Sequence, residues 1–337
     1  MNLKKVPTIH QTDCFHPHGD PDDHWDLACQ FALAHAGLID LKGILIDYPP
    51  NAYFGDPAIG AVSQLSVITG ETAAVGVGCE TKAASDADIS EIASRKPMNA
   101  GLHMVLKILE EADEPVTLHI VGSARDIAVA STLRPDLFRE KCKALYLNAG
   151  SATGSGLEYN VELDPFSYSK MFDLPCPLYW MPCFHECGLH EVGTYGTYWR
   201  FRQNEILPHL SERMQNYFTY ALGRVPDYRW LTYINQPVNQ TLLQEAGEKI
   251  RNMWCTAGFL HAAGKTVTAD GEIVALGTPD KQPVFDFIPV SVTCADDGRT
   301  TWDPAPSDTR FIFKVLDEEH YRAAMTTAMR TLLKAMP

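Results

Sequence analysis

Residues 6–36 read VPTIHQTDCFHPHGDPDDHWDLACQFALAHA, and this stretch contains the features that decide the fold. Val6–Thr12 has the apolar, β-branched character of a buried strand, and residues 22–36 have the alanine- and leucine-rich character of a helix. A turn rich in acids joins them, and no lysine or arginine occurs between residues 6 and 41. The segment therefore predicts the first strand and helix of an α/β fold, with an acidic turn between them.

The turn carries more negative charge than a strand–helix connection requires. Helix capping explains Asp22 and Asp23, because aspartate is favoured at a helix N-terminus. Capping does not explain Asp13 at the preceding strand end, nor Asp20 and Asp26 nearby. Like charges at i,i+4 on a helix, as in Asp22 and Asp26, cost roughly 0.2–0.5 kcal/mol per pair. The cluster therefore predicts a bound cation.

The identity of that cation follows from the side chains available. Ca²⁺ takes six to eight oxygen ligands, often from several carboxylates, carbonyl groups and water, so we expect Ca²⁺ first. His16, His18 and His24 lie in the same turn and leave Zn²⁺ or Fe²⁺ as alternatives, since mixed His/Asp sets suit transition metals.

The composition excludes several classes of function. The chain has 337 residues, 45% of them hydrophobic, and a formal charge of −14. This charge disfavours nucleic acid or an anionic membrane as a partner and favours a neutral or cationic small molecule. No apolar run is long enough to span a membrane. Nine scattered cysteines are typical of reduced thiols, which predicts a cytoplasmic protein.

Strands alternate with helices over the first two thirds of the sequence. This pattern predicts a Rossmann-like α/β fold, with a mostly parallel sheet flanked by helices, in one domain of residues 1–337. The predicted strands are Val6–Thr12, Gly43–Asp47, Ala73–Gly78, Val116–Val121, Lys143–Leu147 and Leu178–Met181. The predicted helices are Asp22–Ala36, Pro57–Thr69, Gly101–Ala112, Asp126–Leu133 and Pro165–Phe172.

The last third has a different pattern. Asn204–Gly223 and Thr241–Ala263 are predicted as two long helices, joined by an aromatic connector. Two strands, Val284–Val292 and Arg310–Val315, are predicted to follow them, and a terminal helix begins at Asp317.

Three ordered motifs carry a resemblance to a known family. The first is Asp13 followed by Asp22-Asp23 and the helix, and the second is His119–Ala128 followed by Leu133-Arg134-Pro135. The third comprises Leu145–Gly150 and Glu158–Pro165. Together they resemble the inosine–uridine-preferring nucleoside hydrolases, whose acidic turn has the pattern D-x-D-P-G-x-D-D.

The resemblance implies a ribose and metal site. Asp13, Asp23 and the carbonyl group of Val121 would bind Ca²⁺. The turn is longer than in the family, so Asp20 competes with Asp13 and Asp22 for their roles and is expected to add a ligand in place of one that the late helix lacks. Asp22 would accept a proton from the attacking water. Glu158, Asn160 and, after the second strand, Asp56 would bind the sugar.

The chain departs from the family pattern in the late helix, where the family has a histidine–aspartate pair. The matching stretch, Asn252–His261, lacks this pair and has Cys255 and Thr256 instead. The loop Cys183–Glu191 is the place to look for a group that protonates the leaving base. Its Cys183, His185, Cys187 and His190 also suggest zinc, but their spacing matches no standard structural site.

The hypothesis from the sequence is a metal-dependent hydrolase that cleaves the N-glycosidic bond of a ribonucleoside or a related N-ribosyl compound. One alternative is a family member that binds a ribosyl or sugar ligand without turning it over. Another is a transition-metal hydrolase of the same fold that uses His16 and His18. The resemblance also implies a homodimer or homotetramer.

Overall fold

A nine-stranded sheet forms the centre of the molecule. The computed structural model describes residues 5–50, 55–95, 100–153, 156–186 and 188–337. The strands in these residues are β1 Val6–Thr12, β2 Phe15–His16, β3 Ile39–Ile46, β4 Asp56–Pro57, β5 Ala74–Val77, β6 Val116–Ile120, β7 Cys142–Asn148, β8 Leu178–Met181, β9 Trp199–Arg202, β10 Ile250–Met253, β11 Lys265–Val267, β12 Ile273–Ala275, β13 Phe285–Cys294, β14 Thr300–Pro304 and β15 Arg310–Val315.

Helices cover both faces of this sheet. They are α1 Asp22–His35, α2 Ile59–Thr69, α3 Asp86–Ser94, α4 Ala100–Glu111, α5 Arg125–Leu133, α6 Pro135–Lys141, α7 Tyr159–Leu163, α8 Pro165–Lys170, α9 Glu212–Leu222, α10 Trp230–Tyr233, α11 Gln240–Gly247, α12 Thr256–Ala262 and α13 Glu318–Lys334. Short 3₁₀ turns occur at Met171–Asp173, Gln203–Glu205 and Leu207–His209. In the described part of the chain, no helix has the length and apolar character of a membrane span.

The sheet has the order β14-β13-β15-β8-β7-β6-β1-β3-β5. The seven strands from β15 to β5 are parallel to one another. β13 is antiparallel to both β15 and β14. This arrangement confirms the predicted mostly parallel α/β fold. The predicted strands Val6–Thr12, Leu178–Met181 and Arg310–Val315 have the bounds that the structure shows.

The register of three central strands creates one functional edge. Gln11 of β1 pairs with Ile120 of β6, and Ile120 pairs with Leu147 of β7. Because the strands are parallel, their carboxyl ends lie side by side, and Asp13, Val121 and Asn148 meet at this edge. Ligands of open α/β sheets bind at such an edge.

Helix α1 fixes the position of the acidic turn. Its Trp25 is fully buried and stacks on Phe218 of α9, with ring centroids 4.0 Å apart. Trp25 also meets Phe201 edge to face, at 5.0 Å. Burying an aromatic side chain of this size removes about 150–250 Å² from water, which is worth roughly 4–6 kcal/mol before entropy costs. The first turn of α1 is therefore anchored although its charges repel one another.

The two long helices predicted for the last third are wrong. In the first, 3₁₀ turns precede α9, because Pro208 lacks an amide hydrogen and Ser211 caps the helix by accepting a bond from the Met214 amide. In the second, β10 separates α11 from α12 and pairs with β9. The predicted terminal helix is confirmed, and the carboxylate of Asp317 caps it.

Close packing of α4 against the sheet gives a test of the fold. A Cβ atom on Gly101 would contact Leu45 Cδ1 and lie 2.6 Å from the Val77 carbonyl oxygen. We expect Gly101→Ala to lower the free energy of unfolding by about 1–3 kcal/mol, because overpacking outweighs the better helix propensity of alanine. Urea unfolding measures the change. Lys107→Ala, at an exposed position of the same helix, is the control. Equal or higher stability of Gly101→Ala would show that this contact is not tight.

Candidate functional site

A cavity of about 470 Å³ lies at the carboxyl ends of β1, β6 and β7. Three groups of described residues line it. One is acidic, a second is made of amides, thiols and a glutamate, and a third is aromatic. Asp13, Val121 and Asn148 lie at the ends of the central strands, and the other lining residues come from the helices and loops that follow strands.

The acidic wall consists of Asp13, Asp22 and Asp23. The carboxyl groups of Asp13 and Asp23 are hydrogen-bonded to each other, and Thr12 Oγ1 donates to Asp23 Oδ1 at 2.5 Å. Burial raises the pKa of all three carboxyl groups well above their usual range, and their mutual repulsion raises it further. A cation bound at this wall would therefore relieve the repulsion among the three carboxyl groups.

Asp20 stands at the rim of the cavity and has a cationic partner. Its Oδ1 lies 3.1 Å from Nη1 of Arg251 on β10, and the Asp20 side chain is 56% exposed. The Arg251 side chain is only 11% exposed, and its charge also lowers the pKa of Asp22, against the larger effect of burial. Sequence reasoning missed Arg251 because nothing in the sequence signals that β10 returns to the acidic turn.

The second wall carries the groups predicted to bind sugar. Asn160 Nδ2 donates to the Val121 carbonyl oxygen at 3.0 Å. Glu158 Oε2 accepts from the Gly150 amide at 2.9 Å, and its Oε1 accepts from the Asn160 amide at 3.0 Å. Burial raises the pKa of Glu158 to about 7, and the two amide bonds oppose this shift. The structure thus brings Val121, Glu158 and Asn160 into the cavity with the acidic wall.

Two thiols complete this wall. Cys255 Sγ donates to Asn148 Oδ1 at 2.9 Å, and Asn148 Nδ2 is bound to the Met181 carbonyl oxygen at 2.9 Å. Burial raises the pKa of both Cys255 and Cys183 well above its usual range, so both remain thiols near neutral pH. Behind Cys255, burial raises the pKa of Asp26 to about 7, an effect that the neighbouring Cys255 thiol partly offsets.

The third wall is aromatic and comes from the loops after β8 and β10. It contains Phe184, His190 and Trp254. The centroid of the Phe184 ring lies 5.4 Å from that of His190 and 5.9 Å from that of Trp254, both edge to face. Tyr198 lies behind them, 5.7 Å from Trp254. This cluster gives one side of the cavity an aromatic surface.

Other predicted residues lie elsewhere. Asp56 is exposed in β4, opposite His16 of β2, and does not line the cavity. His16 is within 3.2 Å of the Val225 carbonyl oxygen and stacks on Tyr220. His24 is buried and bonds to the Phe15 carbonyl oxygen at 3.1 Å, and His18 lies 3.5 Å from that of Leu222. The histidines of the acidic turn are thus bound to backbone groups.

The loop 183–191 does not bring its predicted zinc ligands together in the described residues. His185 Nδ1 accepts from the Tyr195 amide at 3.3 Å, whereas Cys183 and His190 line the cavity. Cys187 lies outside the described residues. Across the described ranges, no group of three or more His, Cys, Asp or Glu side chains is arranged to hold a metal ion.

Comparison with known proteins identifies the fold. No family model matches the chain, and no curated protein sequence matches it. Among solved structures, an inosine-guanosine nucleoside hydrolase aligns with a TM-score of 0.54 and 15% identity, covering 96% of this chain and 98% of that one. The plant nucleoside hydrolase PpNRh1 aligns with a TM-score of 0.52 and 14% identity, over 98% and 99%. The effector protein XOO4466 aligns with a TM-score of 0.54 and 13% identity, covering 98% of this chain and 94% of that one. The chain therefore has the nucleoside hydrolase fold.

The buried Asp26 gives a test of the electrostatics. Its pKa is raised from 3.8 to about 7, so the folded state holds a proton that the unfolded state releases. The free energy of unfolding therefore falls as pH rises through this window. The Asp26→Asn variant lacks this titration. We therefore expect its free energy of unfolding, relative to that of the wild type, to be about 2–4 kcal/mol higher at pH 8 than at pH 5, since one pKa unit is worth about 1.4 kcal/mol.

Denaturant unfolding at both pH values measures this difference. Asp40→Asn, at a half-exposed carboxylate paired with Lys42, is the control and is expected to show the same stability difference at both pH values. A wild-type-minus-Asp26→Asn difference that does not change with pH would show that Asp26 ionises normally.

Proposed function

We propose that this protein hydrolyses the N-glycosidic bond of a ribonucleoside or a related N-ribosyl compound with an activated water. One observation carries the proposal: a single cavity combines the acidic wall, the Val121 carbonyl group, Glu158 and Asn160. The sequence resemblance implies a ribose and metal site made of these groups, whereas Asp56, which it also implies, lies outside the cavity. The nucleoside hydrolase fold supports the same conclusion.

The residues present fit a hard divalent cation. Asp13 and Asp23 share a hydrogen bond, and both burial and repulsion disfavour their negative charges. A cation bound between them would offset both effects. Two carboxylates and the Val121 carbonyl oxygen offer oxygen ligands of the kind that Ca²⁺ prefers, and they leave positions for sugar hydroxyls and water. A divalent cation at this place would bind the ribose diol and favour ionisation of a water molecule.

The environment of the histidines favours Ca²⁺ over Zn²⁺ or Fe²⁺. His16, His18 and His24 each bond to a backbone carbonyl group, and none of them lines the cavity. Burial lowers the pKa of His24 to about 3 and that of His18 to about 4, so they are neutral and engaged within the fold. The transition-metal alternative therefore has no imidazole from this turn in the cavity.

The chain's own residues perform the remaining steps. Asp22 accepts a proton from water as the water attacks the anomeric carbon. The transition state has oxocarbenium character, and the carboxylates of the acidic wall stabilise its positive charge. Glu158 and Asn160 hold the ribose hydroxyls in register, and their geometry is fixed in advance by the Gly150 amide and the Val121 carbonyl group.

Binding of a ribosyl ligand without turnover is the alternative, and one observation favours it. At the bottom of the cavity a thiol, Cys255, is tied to Asn148, and its pKa is raised, so it cannot protonate a leaving base readily. A cytoplasmic location, a single domain and a homodimer or homotetramer belong to the same proposal as predictions.

Loss of the proposed base tests the hydrolase. We expect Asp22→Asn to lower kcat for ribose release from inosine by about 10²–10⁴-fold, because a general base contributes that much. Release is measured in the presence of Ca²⁺ with a reducing-sugar assay. Asp40→Asn controls for loss of an acid elsewhere. A wild type that binds inosine but releases no ribose would instead support the binding alternative.

Calorimetric titration with CaCl₂ tests the metal ligands. Asp13→Asn removes one of two carboxylates that share the site, so we expect it to weaken Ca²⁺ binding by about tenfold or more. Asp20→Asn is the matched comparison, and we expect little change because Asp20 pairs with Arg251. Equal weakening by the two variants would make Asp20 a ligand, as expected from the lengthened turn. Absence of Ca²⁺ binding by the wild type would contradict the metal site.

A further inference from the structure

The thiols that line the described part of the cavity are poor proton donors for a leaving group. Cys255 donates its hydrogen to Asn148 at 2.9 Å, and Cys183 lies beside Glu158 with a raised pKa. His261, on the neighbouring helix α12, is outside the cavity, because its Nδ1 bonds with the Tyr146 hydroxyl group at 2.8 Å. The remaining imidazole of the described lining, His190, is exposed and contacts the rings of Phe184, Trp254 and Tyr198.

The charge of the described lining disfavours a leaving group that becomes negative. It contains five carboxyl groups and no lysine or arginine; they belong to Asp13, Asp20, Asp22, Asp23 and Glu158. Of these five carboxyl groups, Arg251 forms a direct ion pair with that of Asp20. A neutral base that departs without a proton would become negative beside these groups and would be repelled. A leaving group that starts positive departs neutral, and no repulsion of this kind develops.

We propose, resting on the function proposed above, that the preferred substrates are N-ribosyl compounds whose leaving group is a cationic aromatic ring. Such rings include a pyridinium and a purine alkylated at N7. The ring packs against Trp254, Phe184 and His190, because cations bind to the faces of aromatic side chains, most strongly to tryptophan.

The chemistry balances without an acid. A water oxygen forms a bond to the anomeric carbon while the bond from that carbon to the ring nitrogen breaks. The electron pair of the broken bond goes to the ring nitrogen and cancels its positive charge. One water proton passes to Asp22, and the products are ribose and a neutral heterocycle.

Inosine and 7-methylinosine form a matched pair that differs by one methyl group and one positive charge. The wild-type kcat/KM for each is divided by its own rate of uncatalysed hydrolysis, which removes the greater intrinsic lability of the cation. We expect this ratio to favour 7-methylinosine by about 100-fold or more. Equal ratios, or a preference for inosine, would overturn the inference and leave the hydrolase itself intact. Failure to release ribose from either compound would overturn both.

Two substitutions identify the groups responsible. We expect Trp254→Ala to lower kcat/KM for 7-methylinosine by about tenfold and for inosine by less, and Trp254→Phe to retain most of the activity. We expect His190→Gln, which removes one packing surface for the ring, to lower kcat/KM for inosine and for 7-methylinosine by similar factors. A selective loss of inosine hydrolysis in His190→Gln would show that His190 protonates the leaving base and would overturn the inference.

Discussion

The repulsion among Asp13, Asp22 and Asp23 is the interaction on which the rest of the site depends. Asp13 lies at the sheet edge because it follows β1, and Asp22 and Asp23 lie in the first turn of α1 and line the same cavity. Burial and this repulsion together raise the pKa of each carboxyl group well above its usual range. Such a wall favours whatever brings positive charge, which includes a metal ion, an oxocarbenium-like sugar and a cationic leaving group.

The fold tolerates this unfavourable charge because apolar packing outweighs it. Trp25 is buried in the same helix as Asp22 and Asp23, stacked on Phe218, and this burial is worth several kcal/mol. A further part of the charge is met by Arg251, which reaches Asp20 from β10. Stability and function therefore oppose each other in the first turn of α1, as is common where sites need charges in buried places.

Much of the fold could be predicted from the sequence, because local pattern and strand register agree. The bounds of β1 and β8 follow from short apolar runs, and parallel connection places Asp13 and Val121 at one edge. The segment between residues 204 and 263 could not be predicted. Its helical pattern is broken by Pro208 and by the pairing of β10 with β9, which depends on contacts distant in sequence.

The candidate site divides in the same way. Asp13, Asp23, Glu158 and Asn160 follow motif positions next to predicted elements, and the structure brings them into one cavity. Arg251 lies in β10 and Trp254 follows it, and no local sequence pattern predicts that this strand lies beside the cavity. Asp56 follows a predicted strand as well, but β4 pairs with β2 and leads it away from the cavity.

A crystal structure of the protein soaked with Ca²⁺ and ribose tests the central claim most directly. We predict one cation that is bound by Asp13, Asp23 and the Val121 carbonyl oxygen, with two ribose hydroxyls also coordinated, at distances of about 2.3–2.6 Å. Glu158 and Asn160 would then contact the same sugar. A cation or a ribose bound elsewhere, with Asp13 and Asp23 still hydrogen-bonded to each other, would contradict the account.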